Sequence, residues 1–211
     1  MENKGKVIEE KFNIIALGNS TVGKTSYILK YTDNSFQQVY LATVGIDFKV
    51  KNIILPNNKK IKLHFYDTTG EERFKSISVN TVKNADGILL MYDITNKASF
   101  EAITGWMSSI EDIKGGNFPI VLIGNKCDLE NDKEQGRKVE KGKGEQLAKD
   151  YNISFYETSN KNGINIEEPM LDLINRIIKY KDSIKDKRVE GERLLNNNHR
   201  RRNEDSSSCS C

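Results

Sequence analysis

The sequence lacks any apolar run approaching the roughly 18 to 20 residues that a membrane-spanning helix needs. Its first residues, MENKGKVIEEK, carry charges where a signal peptide requires an apolar stretch. Only three cysteines occur, and two of them stand close together at Cys209 and Cys211, so a disulfide framework is not expected. These absences predict a cytosolic protein.

The chain also has little net charge, and that charge is unevenly distributed. Residues 179–211 hold nine Lys or Arg against six Asp or Glu, whereas residues 1–178 hold 24 of each. A domain without net positive charge gives poor support for nucleic-acid binding, and the run Arg200-Arg201-Arg202 is short. The weakly basic tail fits either an anionic membrane surface or a solvated, disordered end.

Length and hydrophobic pattern predict one α/β domain over residues 1–181, followed by a disordered tail over 182–211. The pattern predicts two helices over Ala98–Ile113 and Asn165–Tyr180. A turn at Pro56-Asn57-Asn58 predicts that the second and third strands form an antiparallel hairpin. Strands otherwise alternate with helices, which favours a mostly parallel sheet with helices on both faces. The six predicted strands are Phe12–Gly18, Ile46–Leu55, Lys60–Asp67, Ile88–Asp93, Phe118–Gly124 and Ile153–Tyr156.

A phosphate-loop pattern, GNSTVGKT, lies between the first strand and the next helix. Its glycines let successive backbone N–H groups and the helix N-terminus face phosphate groups. The lysine can reach the β- and γ-phosphates, and the last hydroxyl can bind Mg²⁺. The eight residues are Gly18, Asn19, Ser20, Thr21, Val22, Gly23, Lys24 and Thr25.

Two later segments narrow the choice of nucleotide, because a phosphate loop alone admits ATPases, kinases and GTPases. The fifth strand is followed by Asn125, Lys126 and Asp128, and the sixth by Ser159, Asn160 and Lys161. A carboxylate can accept hydrogen bonds from the N1–H and exocyclic amine of guanine, a pair of donors that adenine does not present. The segments therefore favour guanine nucleotide, and a phosphate-loop ATPase or small kinase is the less favoured alternative.

These motifs resemble those of the Ras superfamily of small GTPases and, within it, of the Rab family, over roughly residues 8–180 and the last three residues. Further stretches similar to Rab signatures are VGIDFK at 44–49, KLHFY at 62–66, RFKSIS at 73–78 and LLMYDIT at 89–95. The resemblance implies a P-loop NTPase small G domain. Its sheet would have six mostly parallel strands with one antiparallel edge strand and helices on both faces.

The resemblance also implies roles for individual residues in binding GTP, GDP and Mg²⁺. Phe36 would stack on guanine, and Gly70 would meet the γ-phosphate through its N–H. Mg²⁺ would be held by Thr25 and Thr43 and, through water, by Asp67. Thr43 would also sense the γ-phosphate. The residues expected to take part in hydrolysis are Lys24, Thr43, Gly70 and Glu71.

The ending Cys209-Ser210-Cys211 resembles a doubly geranylgeranylated Rab terminus, and two lipid chains anchor a protein stably where one does not. The resemblance implies a monomer on the cytoplasmic face of an intracellular or plasma membrane, with a cytosolic pool. It further implies an exchange factor, an activating protein, a prenyl-binding escort and effectors that together serve vesicle traffic.

Several positions depart from the family pattern. In the stretch DTTGEERF, Glu71 replaces the glutamine that orients the attacking water, which predicts slow intrinsic hydrolysis. The alternative is a hydrolysis-deficient module that stays in the GTP form. Thr69 replaces an alanine, so its hydroxyl is a candidate acceptor for the γ-phosphoryl group.

Other departures lie outside the switch. Tyr66 and Thr81 replace two aromatic residues that form an effector-binding triad with Phe48, so the partners of typical Rab proteins need not bind this chain. Asn160 replaces an alanine whose backbone N–H serves the base, a change expected to be tolerated. The loop over Glu130–Lys143 is longer than usual and is interpreted as a tolerated insertion.

Overall fold

The computed structural model describes residues 10–36, 47–67 and 79–186, and these ranges contain a single six-stranded sheet. Its strands run in the order β2-β3-β1-β4-β5-β6, with β2 antiparallel to β3 and all other neighbours parallel. The predicted α/β fold with one antiparallel edge strand is confirmed. The strands are β1 Glu10–Leu17, β2 Asp47–Ile54, β3 Lys60–Asp67, β4 Gly87–Asp93, β5 Ile120–Asn125 and β6 Ser154–Thr158.

The turn predicted between the second and third strands is present. Asn58 has a positive φ of 60° and donates its N–H to the carbonyl oxygen of Leu55 at 2.9 Å. Asn57 Oδ1 accepts from the N–H of Lys59 at 3.1 Å. Asparagine tolerates the left-handed conformation and supplies a local acceptor, so the chain reverses here without glycine.

Helices cover both faces of the sheet, as predicted, although two boundaries differ from the sequence pattern. The segment predicted as one helix over Ala98–Ile113 is divided at Ala102, whose N–H contacts the carbonyl oxygens of both Ala98 and Phe100. This tighter turn separates α3 from α4. The helices are α1 Lys24–Asp33, α2 Val79–Asn84, α3 Lys97–Glu101, α4 Ile103–Lys114, α5 Lys141–Asp150 and α6 167–186, with a 3₁₀ turn at Cys127–Leu129.

The last helix begins two positions later than predicted and extends beyond Tyr180 to residue 186. Asn165 has a φ of 51° and donates its side-chain N–H to the carbonyl oxygen of Glu157 at 2.9 Å, so it lies in a loop and does not cap the helix. Pro169 falls in the first turn, where its missing N–H removes no intrahelical hydrogen bond. Within the described ranges, no helix has the length and apolar character needed to cross a bilayer.

Two hydrophobic cores lie on opposite faces of the sheet. One packs α1 and α6 against β1 and β3, with Tyr27 and Leu173 completely buried. The other packs α2, α4 and α5 against β4 and β5, with Trp106 and Ile110 almost completely buried. Strands β4 and β5 are buried along their whole length, which explains their uninterrupted apolar sequences.

The long loop after the fifth strand is partly anchored to the domain. Arg137 forms a bidentate ion pair with Glu157, with Nη1–Oε1 and Nη2–Oε2 distances of 2.6 and 2.9 Å. It also donates to Glu130 and to the carbonyl oxygen of Val139. The side chains of Arg137 and Glu157 are 9% and 11% exposed, and Glu157 lies on β6. Tolerance of the insertion stays a prediction, while this half of the loop contributes an ion pair to the domain.

Arg137→Ala should lower the free energy of unfolding by about 3 kcal/mol, because it leaves the largely buried carboxylate of Glu157 without its main partner. Denaturant titration at equal nucleotide load measures this change. Lys97→Ala is the matched control, since Lys97 pairs with Glu101 at 3.0 Å but both side chains are more than half exposed. It should cost less than about 0.5 kcal/mol. Equal effects of the two substitutions would contradict the role assigned to burial.

His64 on β3 should make the fold less stable in acid. Both of its ring nitrogens are buried, and neither has a hydrogen-bond partner among the described residues. Burial, and then the positive charges of Lys11 and Lys62, lower the pKa of His64 below its ordinary value. The unfolded chain therefore binds a proton more readily than the folded chain, and stability declines as the pH falls below about 6.5.

His64→Gln should flatten that decline, since it removes the titrating group from the same position. The measurement is the free energy of unfolding of both proteins at about pH 7.5 and about pH 5.5. The wild type should lose more stability than the variant between the two values. An unchanged or larger loss in the variant would refute the assignment to His64.

Candidate functional site

The backbone between β1 and α1 has the shape that the phosphate-loop pattern predicts. Gly18, Thr21 and Gly23 all have positive φ angles, of 134°, 66° and 102°. A Cβ atom on Gly18 would lie 2.1 Å from the carbonyl oxygen of Met91, and one on Gly23 would lie 2.3 Å from Nδ2 of Asn125. Because neither place can hold a side chain, glycine is required at both ends of the loop.

Lys24 begins α1 and directs its ammonium group back across this loop. The side chain is buried, and Nζ donates to the carbonyl oxygens of Gly18 and Asn19 at 2.9 and 3.0 Å. The N-cap Gly23 supplies no side-chain cap, and the first turn of α1 has no acidic residue. A lysine cation and a helix N-terminus without a capping carboxylate both attract anions, so together they suit a phosphate group.

Two of the predicted Mg²⁺ ligands lie next to each other. Thr25 Oγ1 donates to Oδ2 of Asp67 at 2.5 Å, although the two residues come from α1 and from the end of β3. A hydroxyl and a carboxylate are the hard oxygen ligands that Mg²⁺ prefers, so this pair fits the ion. Among the described residues, no cluster of three or more His, Cys, Asp or Glu offers a competing metal site.

Asn125 joins the end of β5 to the phosphate loop. Its Nδ2 donates to the carbonyl oxygen of Val22 at 2.8 Å, and its Oδ1 accepts from Oγ1 of Thr158 at 3.1 Å. Asn125 and Thr158 are 2% and 0% exposed. The side-chain amide is therefore fixed on both sides, and the segment predicted to bind the base is attached to the phosphate loop.

Asp128 and Ser159 meet although they come from different strand ends. Ser159 Oγ donates to Oδ1 of Asp128 at 2.6 Å, which orients the carboxylate proposed to read guanine. Asn160 is buried next to Ser159, and Lys161 and Phe36 are exposed. The structure thus brings both segments predicted to bind the base to the carboxyl edge of the sheet, where ligands of such sheets bind.

Four residues that the sequence analysis did not identify as part of the site support these groups. They are Asp93, Thr95, Trp106 and Thr158. Lys126 has a φ of 69° and pairs with Oδ2 of Asp93 at 2.6 Å, and Thr95 donates two hydrogen bonds to Oδ1 of Asp93. The position of Asp93 at the carboxyl end of β4 was a usable signal. Trp106 Nε1 donates to Oδ1 of Asn19 at 3.2 Å, a contact that the apolar pattern of its helix does not reveal. Thr158, on which Asn125 depends, is the fourth.

Several predicted residues lie outside the described ranges. They comprise the remaining Mg²⁺ ligand, the other residues expected at the γ-phosphate, the candidate phosphoryl acceptor and the two cysteines expected to carry lipid. Their roles stay predictions. The residues are Thr43, Thr69, Gly70, Glu71, Cys209 and Cys211.

Comparison with known proteins gives one family. A family model described as the Ras family matches residues 13–179. The Ras-related protein Rab-3A of Homo sapiens is 41% identical over 176 residues, which cover 83% of this chain and 78% of that protein. Rab-10 of Diplobatis ommata is 42% identical over 173 residues, covering 82% and 84%. Rab-13 of Bos taurus is 38% identical over 193 residues, covering 92% and 89%.

Thr158→Val should weaken the binding of GDP by roughly tenfold, because it leaves the buried Oδ1 of Asn125 without a donor. Calorimetric titration of the nucleotide-free protein measures the affinity. Thr104→Val is the control, since Thr104 is exposed and its hydroxyl donates to the carbonyl oxygen of Glu101. An unchanged affinity in Thr158→Val would show that Asn125 does not need this support.

Proposed function

This chain belongs to the Ras family of small GTPases and, within it, to the Rab proteins, and from that premise we propose that it is a GTP-hydrolysing switch in vesicle traffic. The observation that carries the proposal is the contact of Asn125 with Val22. It holds a base-reading segment against a phosphate-binding loop. A site of that kind takes a whole nucleotide.

Guanine selectivity is assigned to Asp128. Its carboxylate, oriented by Ser159, can pair with the N1–H and exocyclic amine of guanine. Adenine would leave this carboxylate without matching donors in a site that has lost its water. Guanine nucleotide should therefore be preferred by several powers of ten, about 10⁴ or more for a site built on such pairing.

GTP hydrolysis would proceed by in-line attack of water on the γ-phosphate. The Lys24 ammonium lies where it can neutralise charge on the β- and γ-phosphates, and the loop N–H groups orient them. Mg²⁺, when bound through Thr25 and Asp67, would stabilise the developing charge. Thr43 and Gly70 are proposed to contact the γ-phosphate, so that the surrounding segments respond to its loss.

Slow intrinsic hydrolysis is proposed from Glu71. A carboxylate at about 5 Å from a γ-phosphate charge is repelled by about 3 kcal/mol at an effective dielectric constant of about 20. Glu71 would avoid this repulsion either by turning away from the phosphate or by taking up a proton. If Glu71 turns away, the attacking water loses the group that orients it in glutamine-bearing relatives. In both cases intrinsic hydrolysis is proposed to be slower than in those relatives.

Glu71→Gln should accelerate single-turnover hydrolysis of bound GTP by up to roughly two powers of ten. The readout is phosphate released from preloaded protein in the absence of any activating factor. Glu72→Gln is the matched control, since it removes a neighbouring carboxylate that is ordinary for the family. Equal rates for wild type and Glu71→Gln would eliminate the proposed role of Glu71.

The same residue supports a second candidate, a binding module that stays in the GTP form. Chromatography of the nucleotides extracted from freshly purified protein separates the two functions. GDP on the protein indicates a cycling switch. GTP on the protein, with no response of the bound GTP to an activating factor, indicates the permanently loaded module.

An effector surface is proposed on the outer face of β2 and β3. Phe48 is 46% exposed, and its ring lies 5.4 Å from that of Tyr66 in an edge-to-face arrangement. Val50 and Ile54 extend this apolar face along β2, with 40% and 66% of their surfaces exposed. Because Thr81 is not aromatic, the partners bound here should differ from those of typical Rab proteins.

Attachment to the cytoplasmic face of a membrane is proposed through lipid on Cys209 and Cys211, together with an exchange factor, an activating protein and a prenyl-binding escort. Two lipid chains would give stable anchoring, and an escort would account for a cytosolic pool. The intact mass of protein from prenylating cells, compared with that of a Cys209→Ser, Cys211→Ser double variant, reports the modification.

A further inference from the structure

Asn160 contacts the phosphate loop through its side chain, a contact that an alanine at this position cannot make. The residue follows Ser159 after β6 and is 3% exposed. Its Nδ2 donates to the carbonyl oxygen of Gly23 at 2.9 Å, across a separation of 137 residues. A carbonyl oxygen can only accept, so the amide nitrogen must be the atom that faces it.

The carbonyl of Gly23 lies at the junction between the phosphate loop and α1. Gly23 is the N-cap of the helix, and its carbonyl oxygen also accepts from the N–H of Tyr27 at 2.9 Å. A Cβ atom on Gly23 would lie 2.3 Å from Nδ2 of Asn125 and 2.9 Å from Nδ2 of Asn160. Two side-chain amides therefore lie against the same glycine.

The two amides bind consecutive carbonyls of the loop from two different strand ends. Asn125 is the last residue of β5 and donates to the carbonyl oxygen of Val22. Asn160 comes shortly after β6 and donates to the carbonyl oxygen of Gly23. A guanine nucleotide in the proposed site contacts the segments of both asparagines through its base and the loop through its phosphates. Asn160 thus adds a second link between the two halves of that site.

Stability of the fold gives little reason for this asparagine. Oδ1 of Asn160 is buried and has no hydrogen-bond partner among the described residues, which is a cost that the bond from Nδ2 must first offset. Alanine would remove both the bond and the orphaned oxygen. The net effect of the side chain on the free energy of unfolding should therefore be small. The hydrogen bond to Gly23 must nevertheless break before the phosphate loop and the segment after β6 can move apart.

We propose that Asn160 is a positioning residue that couples the base-binding segment to the phosphate loop and thereby slows the release of guanine nucleotide. Release requires the two halves of the site to separate, and with Asn160 in place they separate only after an additional buried hydrogen bond breaks. Both GDP and GTP are held in this way, since the link does not involve the γ-phosphate. The inference rests on the proposed function, because it presumes that guanine nucleotide occupies the site.

The test is the release of fluorescent GDP from preloaded protein after addition of excess unlabelled GDP. Asn160→Ala should release GDP roughly three- to tenfold faster than wild type, the change expected from one buried hydrogen bond. A fluorescent, non-hydrolysable GTP analogue should show the same factor. The free energy of unfolding of the nucleotide-free protein should change little, which separates coupling from a merely structural role.

Two further variants test whether the hydrogen bond from Asn160, and not the substitution in general, controls GDP release. Asn160→Asp keeps the size of the side chain but presents a carboxylate that cannot donate to Gly23, so GDP release should be at least as fast as in Asn160→Ala. Asn162→Ala makes the same substitution two positions away, where the side chain is exposed, and should release GDP at the wild-type rate.

Wild-type release rates in Asn160→Ala or Asn160→Asp would overturn the inference, as would faster release that merely follows a loss of stability. Wild-type protein that fails to bind GDP at all would instead refute the proposed function. The two failures are thus distinguished within one experiment.

Discussion

The hydrogen bond from Nδ2 of Asn125 to the carbonyl oxygen of Val22 links the end of β5 to the phosphate loop, and the proposed nucleotide site depends on this link. It is buried, it spans two strand ends, and its geometry requires a glycine at 23, because any Cβ there would displace the amide. Thr158 keeps the other end of the amide occupied, so the side chain cannot rotate away without leaving a buried oxygen unpaired. The conformation of the phosphate loop and the position of the segment that begins at Asn125 consequently depend on each other.

The sheet brings these groups together because its strands are parallel. Strands β1, β3, β4, β5 and β6 all end at one edge, and each contributes a polar residue or a loop there. From β3 comes Asp67, which meets Thr25 on α1, and from β4 comes Asp93, which holds Lys126. Two apolar cores keep the strand ends in register, so the polar groups can be close together without forming the core themselves.

Much of this arrangement could be predicted from the sequence, because the relevant signals are local. Alternation and apolar runs identified all six strands, and the phosphate-loop pattern placed Gly18, Gly23 and Lys24 correctly between a strand and a helix. The contacts that could not be predicted are those between distant side chains, such as Arg137 with Glu157 and Trp106 with Asn19. A helical stripe predicts that Trp106 is buried, but the direction of its indole N–H depends on packing between elements.

Asn160 is another residue whose contact with a distant part of the chain could not be predicted from the sequence. Its replacement of alanine is visible in the sequence and is expected there to be tolerated, since the family uses the backbone N–H of that residue. The side chain instead reaches a carbonyl in the phosphate loop, which only the folded positions of β6 and α1 reveal. Departures from a family pattern are thus informative where the structure shows what the new atoms contact.

Competition binding shows directly whether these strand ends form one guanine-nucleotide site. Labelled GDP bound to the purified protein is challenged with unlabelled GTP or ATP, each at up to about a thousandfold excess. We expect GTP to displace the label at near-stoichiometric concentration and ATP to leave it bound throughout. Displacement by ATP at concentrations similar to those of GTP would rule out a guanine-selective site.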